Sequence, residues 1–514
     1  MRRNLMCRVF GAVLVVFFLV AAAAADVKLP GVFGDHVVLQ REMPVPVWGW
    51  ADPAEQVTVT LGDQSKTATA DSAGKWSVKL DALKAGGPFE LKVQGKGNAV
   101  QLSDVLVGEV WLCSGQSNME MTVGGVMNKD AEIASADYPK IRMLTVAKKT
   151  AMEPQENSSG QWRMCSPRTV AGFSAAGYFF GRELHKQLDV PVGLINSSWG
   201  GTPIETWTSA AAHEAVPELR SRIDDLKRRA ASYDAEKAKS RYEKQLAAWE
   251  EAVAQAKAEG KKSTARRPQP PQDPRQSPGS PTTLYNGMIA PLAPYAIRGA
   301  IWYQGESNAG QAALYGLQLK VMIRDWRKLW YEGDFFFLFV QLPNFMAPQK
   351  EPVENGGWPT VREQMLQTLA VPNTGMAVTI DVGQANDIHP KNKQDVGKRL
   401  AQWALAKTYG KDVVACGPLY KSMRKEGDKI VLQFAYVDGG LAVRDGEKLK
   451  GFAIASEDKK FVWAEARIEG GTVIVSSPQV GSPVAVRYAW ANNPECNLVN
   501  KAGLAASPFR TDDW

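Results

Sequence analysis

Histidine is scarce in this chain, with four in 514 residues, so a mechanism built on imidazole can draw only on His36, His185, His213 or His389. The spacing of His and Cys that marks a zinc site is missing, and no metal or other cofactor is expected. An excess of one charge is missing as well. Formal charge is +7, and it falls to +4 if Arg2, Arg3 and Arg8 leave with a leader that holds no acid. So small a balance gives no argument for a nucleic-acid partner. Beyond residue 25 no apolar run approaches the roughly 18 residues of a spanning helix, so no integral membrane segment is expected in the mature chain. Nor is the chain short of apolar residues: 45% hydrophobic against 22% charged excludes a wholly disordered or collagen-like chain.

Residues 1–25 read as a secretory signal. Basic residues open the segment, the apolar run Val9–Val20 follows, and Ala23, Ala24 and Ala25 precede Asp26. The run is short for a membrane anchor and its small-residue end favours cleavage, so a secreted or periplasmic protein is expected. Cys7 would leave with the signal. Cys113, Cys165, Cys416 and Cys496 remain, an even number in a compartment that permits disulfides. Proximity in sequence favours Cys113–Cys165 and Cys416–Cys496; the other reading is four buried thiols.

Residues 26–103 alternate apolar and polar in short segments such as "VPVWGW", "QVTVTLG" and "KWSVKL", the pattern of a small β-sandwich-like domain. From 413 to 514 the strand pattern returns, as in "KIVLQFAYV" and "PVAVRYAW". The middle, 104–412, differs. Continuous apolar runs ("DVLVGEVWLC", "VPVGLINSSWG", "IRGAIWYQGES", "FFFLFVQLP", "GMAVTID") alternate with helical stretches such as Ala175–Leu188 and Leu314–Leu329. This is the pattern of a parallel sheet covered on both faces, whose ligands bind beyond the carboxyl ends of its strands. An insertion at about 210–283 interrupts it. Leu219, Ile223, Leu226 and Ala230 form one helical stripe, and Tyr242, Leu246, Trp249 and Val253 a second that is out of phase with it. Two helices or one offset helix fit this pattern, and the bland role is a solvated arm, with a dimerising coiled coil as the other. Six prolines within Arg266–Pro281 then predict an extended connector.

The chemistry gathers at strand ends. Gly115-Gln116-Ser117-Asn118-Met119 follows a buried run, so a tight turn there presents the Ser117 hydroxyl at the sheet edge. Met119 stands where the nucleophile elbow of α/β-hydrolases has its second Gly. Alone, such a serine is more often a turn residue; it needs a base. His389, in Asn386-Asp387-Ile388-His389-Pro390, lies just past "GMAVTID", with Asp387 near enough to orient it. The other histidines read as surface or packed residues. Trp302-Tyr303-Gln304-Gly305-Glu306-Ser307-Asn308 ends another run and offers amides for an oxyanion, and Glu306 is a second candidate to orient His389. Asn196-Ser197-Ser198-Trp199-Gly200-Gly201-Thr202 ends a fourth, where glycine lets a backbone N–H approach a substrate oxygen.

Together, "GEVWLCSGQSNMEM", "SSWGGTPIETW", "WYQGESN" and "DIHPKNKQDVGKRLA" resemble the sialate O-acetylesterase group of SGNH-type serine esterases, and family-like ends extend the resemblance over nearly the whole mature chain. It implies a flavodoxin-like α/β/α core with β-rich accessory regions, and hydrolysis of acetyl esters on sugars. It also implies Ser117 as nucleophile, His389 as base, Asp387 as orienting acid, and Gly200 or Gly201 beside the Ser117 N–H in the oxyanion hole. Two positions depart from the pattern. Asp387 stands two residues before the histidine where three is usual, which keeps Glu306 as an alternative. The usual Gly-x-Asn donor is replaced by Gln-Gly-Glu-Ser-Asn, leaving Gln304 or Asn308, with Gln304 favoured.

Three functions follow. The first is a serine esterase that deacetylates carbohydrate, sialic acid or an acetylated polysaccharide, without a cofactor. The second is a glycosidase using Glu306 and Asp387 as its carboxylate pair. The third is a non-catalytic glycan-binding protein with exposed aromatics such as Trp199 and Trp207.

Overall fold

The computed structural model describes residues 26–514; the expected signal and Cys7 lie outside them. Its spine is one 17-residue strand, β1 (Ala99–Gly115). The first half of β1 pairs with Gly86–Gln94 and Val38–Gln40 of the N-terminal region. The second half is the centre of a larger sheet, so position 103/104 falls inside a continuous strand. That sheet adds β2 (Tyr138–Thr145), β3 (Trp162–Cys165), β4 (Val192–Ser198), β5 (Gly299–Tyr303), β6 (Phe336–Val340) and β7 (Thr374–Ala377), in the order β7-β6-β5-β1-β4-β2-β3. Every pairing along it is parallel except the last, β2 with β3.

Among the helices are α1 (Ser117–Glu120), α2 (Ala175–Leu188), α3 (Pro217–Ser232), α4 (Ala235–Ala258), α5 (Tyr315–Trp330), α6 (Gly357–Thr368) and α7 (Lys393–Trp403). Side chains alternate across the strands, so neighbours in β1 and β5 serve opposite faces. On one face Trp111 meets Phe180 of α2, with ring centroids 4.9 Å apart. On the other, Trp302 meets Trp326 of α5 at 5.8 Å. Helix α7 packs beside α2, and α6 beside α5. The result is a three-layer α/β/α core in which β4–β7 and the second half of β1 are buried almost throughout because helices cover both faces. The chain leaves β1 for β2, returns to β4 at its flank, then crosses to β5 on its other side. The strand order therefore reverses at the end of β1, where such sheets open a crevice.

The N-terminal strands form two facing layers, with Trp76, Val78 and Leu80 turned inward from Lys75–Leu80. The C-terminal strands have their own core around Ile430, Leu432, Val473, Tyr488 and Phe509. The insertion is two helices. Asp234 caps α4 through the Lys237 N–H at 3.0 Å, and the stripes change phase there. Helix α3 buries Leu219, Ile223 and Leu226, whereas α4 buries none of its residues. None of the four described cysteines is in a disulfide: Cys113, Cys165 and Cys416 are buried thiols and Cys496 a half-buried one. Proximity in sequence misled for Cys113, which is locked in β1 with its sulfur 3.1 Å from where a Cβ on Gly177 of α2 would stand. No helix among the described residues is long and apolar enough to cross a membrane.

Candidate active site

Ser117 begins α1, two residues after β1 ends at Gly115 and directly after Gln116. The turn is possible because Gly115 adopts φ +140°, and a Cβ there would lie 2.2 Å from the Tyr303 carbonyl oxygen. His389 comes from the loop between β7 and α7, and its Nε2 lies 2.9 Å from Ser117 Oγ. Those residues are 272 positions apart in sequence, and the parallel sheet brings their loops to one edge.

Among the described residues, Asp387 is the one carboxylate against the far ring nitrogen. Its Oδ1 lies 3.6 Å from His389 Nδ1, an ion-pair distance, and accepts the His389 backbone N–H at 2.8 Å. That N–H chiefly, then Lys391 at 3.2 Å, holds the Asp387 carboxyl below the usual carboxylate range. Burial lowers the pKa of His389, against an opposing pull from Asp387; the cations Lys393 and Lys391 lower it further. The imidazole is thus poised neutral, able to take a proton from Ser117.

Glu306 does not reach His389. It is buried beneath the site, its Oε1 accepting from Asn118 Nδ2 at 2.6 Å, and burial raises its pKa. A carboxyl so placed cannot flank a glycosidic bond together with the solvent-facing Asp387, as a glycosidase pair requires. Gln304 and Asn308 are both engaged by neighbouring loops. Gln304 Nε2 donates to the Thr202 carbonyl at 3.2 Å and to Asn308 Oδ1 at 2.7 Å, which engages both of its protons. Asn308 Oδ1 accepts the Ile204 N–H as well, and its Nδ2 donates to Glu205. These amides knit the loop after β5 to the loop after β4.

Gly200 lies against the nucleophile: a Cβ there would stand 3.2 Å from Ser117 Cβ. Its N–H is committed to Glu120 Oε2 at 2.6 Å. Gly201, at φ +75°, has an N–H that makes no hydrogen bond among the described residues. Glu120 also pairs with Lys148, whose ammonium lies 5.1 Å from the Trp199 ring centroid. Trp207 is fully buried and donates to Thr202, so it is no exposed sugar platform.

Sequence reasoning missed Asn118, Glu120 and Lys393. Asn118 stood in the serine motif and Lys393 in "HPKNK", but nothing local marks side chains whose partners are remote. Lys393, fully buried, donates to Asn118 Oδ1 and to the Pro390 carbonyl, each at 2.7 Å, and burial pushes its pKa down to about 7.

Known proteins resemble this chain over most of its length. The family model described as carbohydrate esterase, sialic acid-specific acetylesterase matches residues 107–260 and 274–406. Sialate O-acetylesterase of Mus musculus is 30% identical over 97% of this chain and 97% of its own, and that of Homo sapiens 30% over 95% and 93%. The crystal structure of a carbohydrate acetylesterase from Xanthomonas citri, 38% identical, superposes with a TM-score of 0.80, covering 95% of this chain and 100% of that one. On its fold, its strand-end loops and its match to the family model, this chain belongs to the carbohydrate esterase family of sialic acid-specific acetylesterases.

Proposed function

We propose that the protein is a secreted serine esterase that removes O-acetyl groups from carbohydrate, with Ser117 as nucleophile, His389 as base and Asp387 as the acid that orients it. The observation that carries this reading is the 2.9 Å approach of His389 Nε2 to Ser117 Oγ at the carboxyl edge of the sheet. The Ser117 hydroxyl attacks the acetyl carbonyl while His389 takes its proton. The oxyanion is received by the N–H groups of Ser117 and of Gly201, the free donor of the Gly200-Gly201 pair. The imidazolium protonates the departing sugar oxygen, and acetyl-Ser117 is hydrolysed by water that the same histidine activates. Every step uses groups of the chain itself. The names of the mammalian relatives support sialic acid as the sugar, and that of the bacterial structure supports acetylated carbohydrate more broadly. The leader-like residues 1–25 support export.

Acetate release across a panel of O-acetylated glycans, sialic acids and plant polysaccharides included, tests the reading and ranks the substrates. Wild type should release acetate from at least one, and folded Ser117→Ala from none. A folded Ser117→Ala variant with near-normal turnover would remove serine from the mechanism.

A further inference from the structure

The base is gripped on both sides by residues that do no bond chemistry. Asn118 Nδ2 donates to the carbonyl of Ile388, before His389, at 3.0 Å. Lys393 Nζ donates to the carbonyl of Pro390, after it, at 2.7 Å. The two grips are joined, since Lys393 Nζ also donates to Asn118 Oδ1 at 2.7 Å. The other proton of the Asn118 amide goes to Glu306 Oε1 at 2.6 Å. Asn118 directly follows Ser117, so one buried amide ties the nucleophile's turn to both peptide carbonyls that flank the base.

This arrangement is expensive for mere packing. Lys393 and Asn118 are fully buried, and Glu306 Oε2 has no hydrogen-bond partner among the described residues. A buried ammonium and carboxylate carry a desolvation cost that apolar side chains of the same size avoid. The grip also spans three elements: the turn after β1, the loop after β5 and the start of α7.

We infer that Asn118, Lys393 and Glu306 form a buried clamp that sets the distance between His389 and Ser117, with Lys393 as its central positioning residue. The inference rests on the serine-esterase reading. Lys393 carries a second consequence, because its charge repels an imidazolium. The groups around His389 are Asp387 and Lys391 on its own loop, Lys393 at the start of α7 and Ser117 opposite; Glu306 faces Lys393 from behind Asn118.

The test is the Lys393→Met variant of the full chain, assayed on 4-nitrophenyl acetate beside wild type, Ser117→Ala and Asn118→Ala. Thermal melting first establishes that each is folded. Lys393→Met should lower kcat about 10²-fold, the scale of a small misplacement, and leave KM unchanged. The acid limb of its kcat/KM profile should move to higher pH, since a neutral Met no longer opposes protonation of His389. Asn118→Ala combined with Lys393→Met should lose little more than the worse single variant, because both open the same clamp. A folded Lys393→Met with wild-type kcat, an unmoved acid limb, or fully additive losses would each overturn the clamp. Failure of the underlying reading looks different: wild type would be inert or Ser117→Ala active.

Discussion

His389 can serve Ser117 only while its ring is neutral, and its surroundings extend the pH range over which it stays so. Partial burial disfavours the imidazolium, and Lys393 and Lys391 add to that; Asp387 acts the other way. The net direction is below the ordinary 6.5. The sign follows directly: a base of lowered pKa stays unprotonated further into acid, so activity is kept at pH values where free imidazole is half charged. The kcat/KM profile should therefore fall on an acid limb that lies below 6.5. Asp387→Asn should shift that limb lower still in its residual activity, because it removes the charge that favours the imidazolium. A limb above the ordinary histidine value in wild type would show that the base sits in a different environment.

At the level of elements, the two carboxylates that sequence reading left in competition arrive on different loops. Asp387 shares the His389 loop and faces Nδ1, whereas Glu306, on the loop after β5, meets Asn118 instead. Asp387→Asn should cost on the order of 10⁴-fold in kcat, and Glu306→Gln, which keeps an acceptor for Asn118, clearly less. The opposite ranking in purified, folded variants would make Glu306 the orienting acid. The second half of β1, β4 and β5 were legible as apolar runs ending in polar, Gly-containing loops, and β6 by its apolar run alone. The sequence made Ser117 and His389 legible because so few histidines stand at a strand end. It could not assign the amides, since Gln304 and Asn308 suit an oxyanion by type and only their partners, Thr202 and Glu205, reveal another use. Lys393 was hidden for the same reason: 275 residues separate it from the Asn118 oxygen it bonds.

At the scale of the whole molecule, β1 joins the N-terminal strands to the catalytic sheet as one structural piece, and the C-terminal strands dock on it through ion pairs such as Arg510 with Glu363. Among the described residues no disulfide contributes to this union. The four described cysteines are thiols, with burial raising the pKa of Cys165 and Cys496 to about 12. Thiol labelling in denaturant without reductant should count all four, and the melting temperature should not change with reductant; a count short by two would reveal a bridge. What these parts position is one hydroxyl at one sheet edge. The most direct measurement of its role is mass spectrometry of wild-type protein quenched in acid during turnover of an acetyl ester. The mechanism predicts a single acetyl group on the peptide that carries Ser117, absent from Ser117→Ala. Rapid turnover with that peptide unmodified, or the acetyl group on another residue, would contradict it.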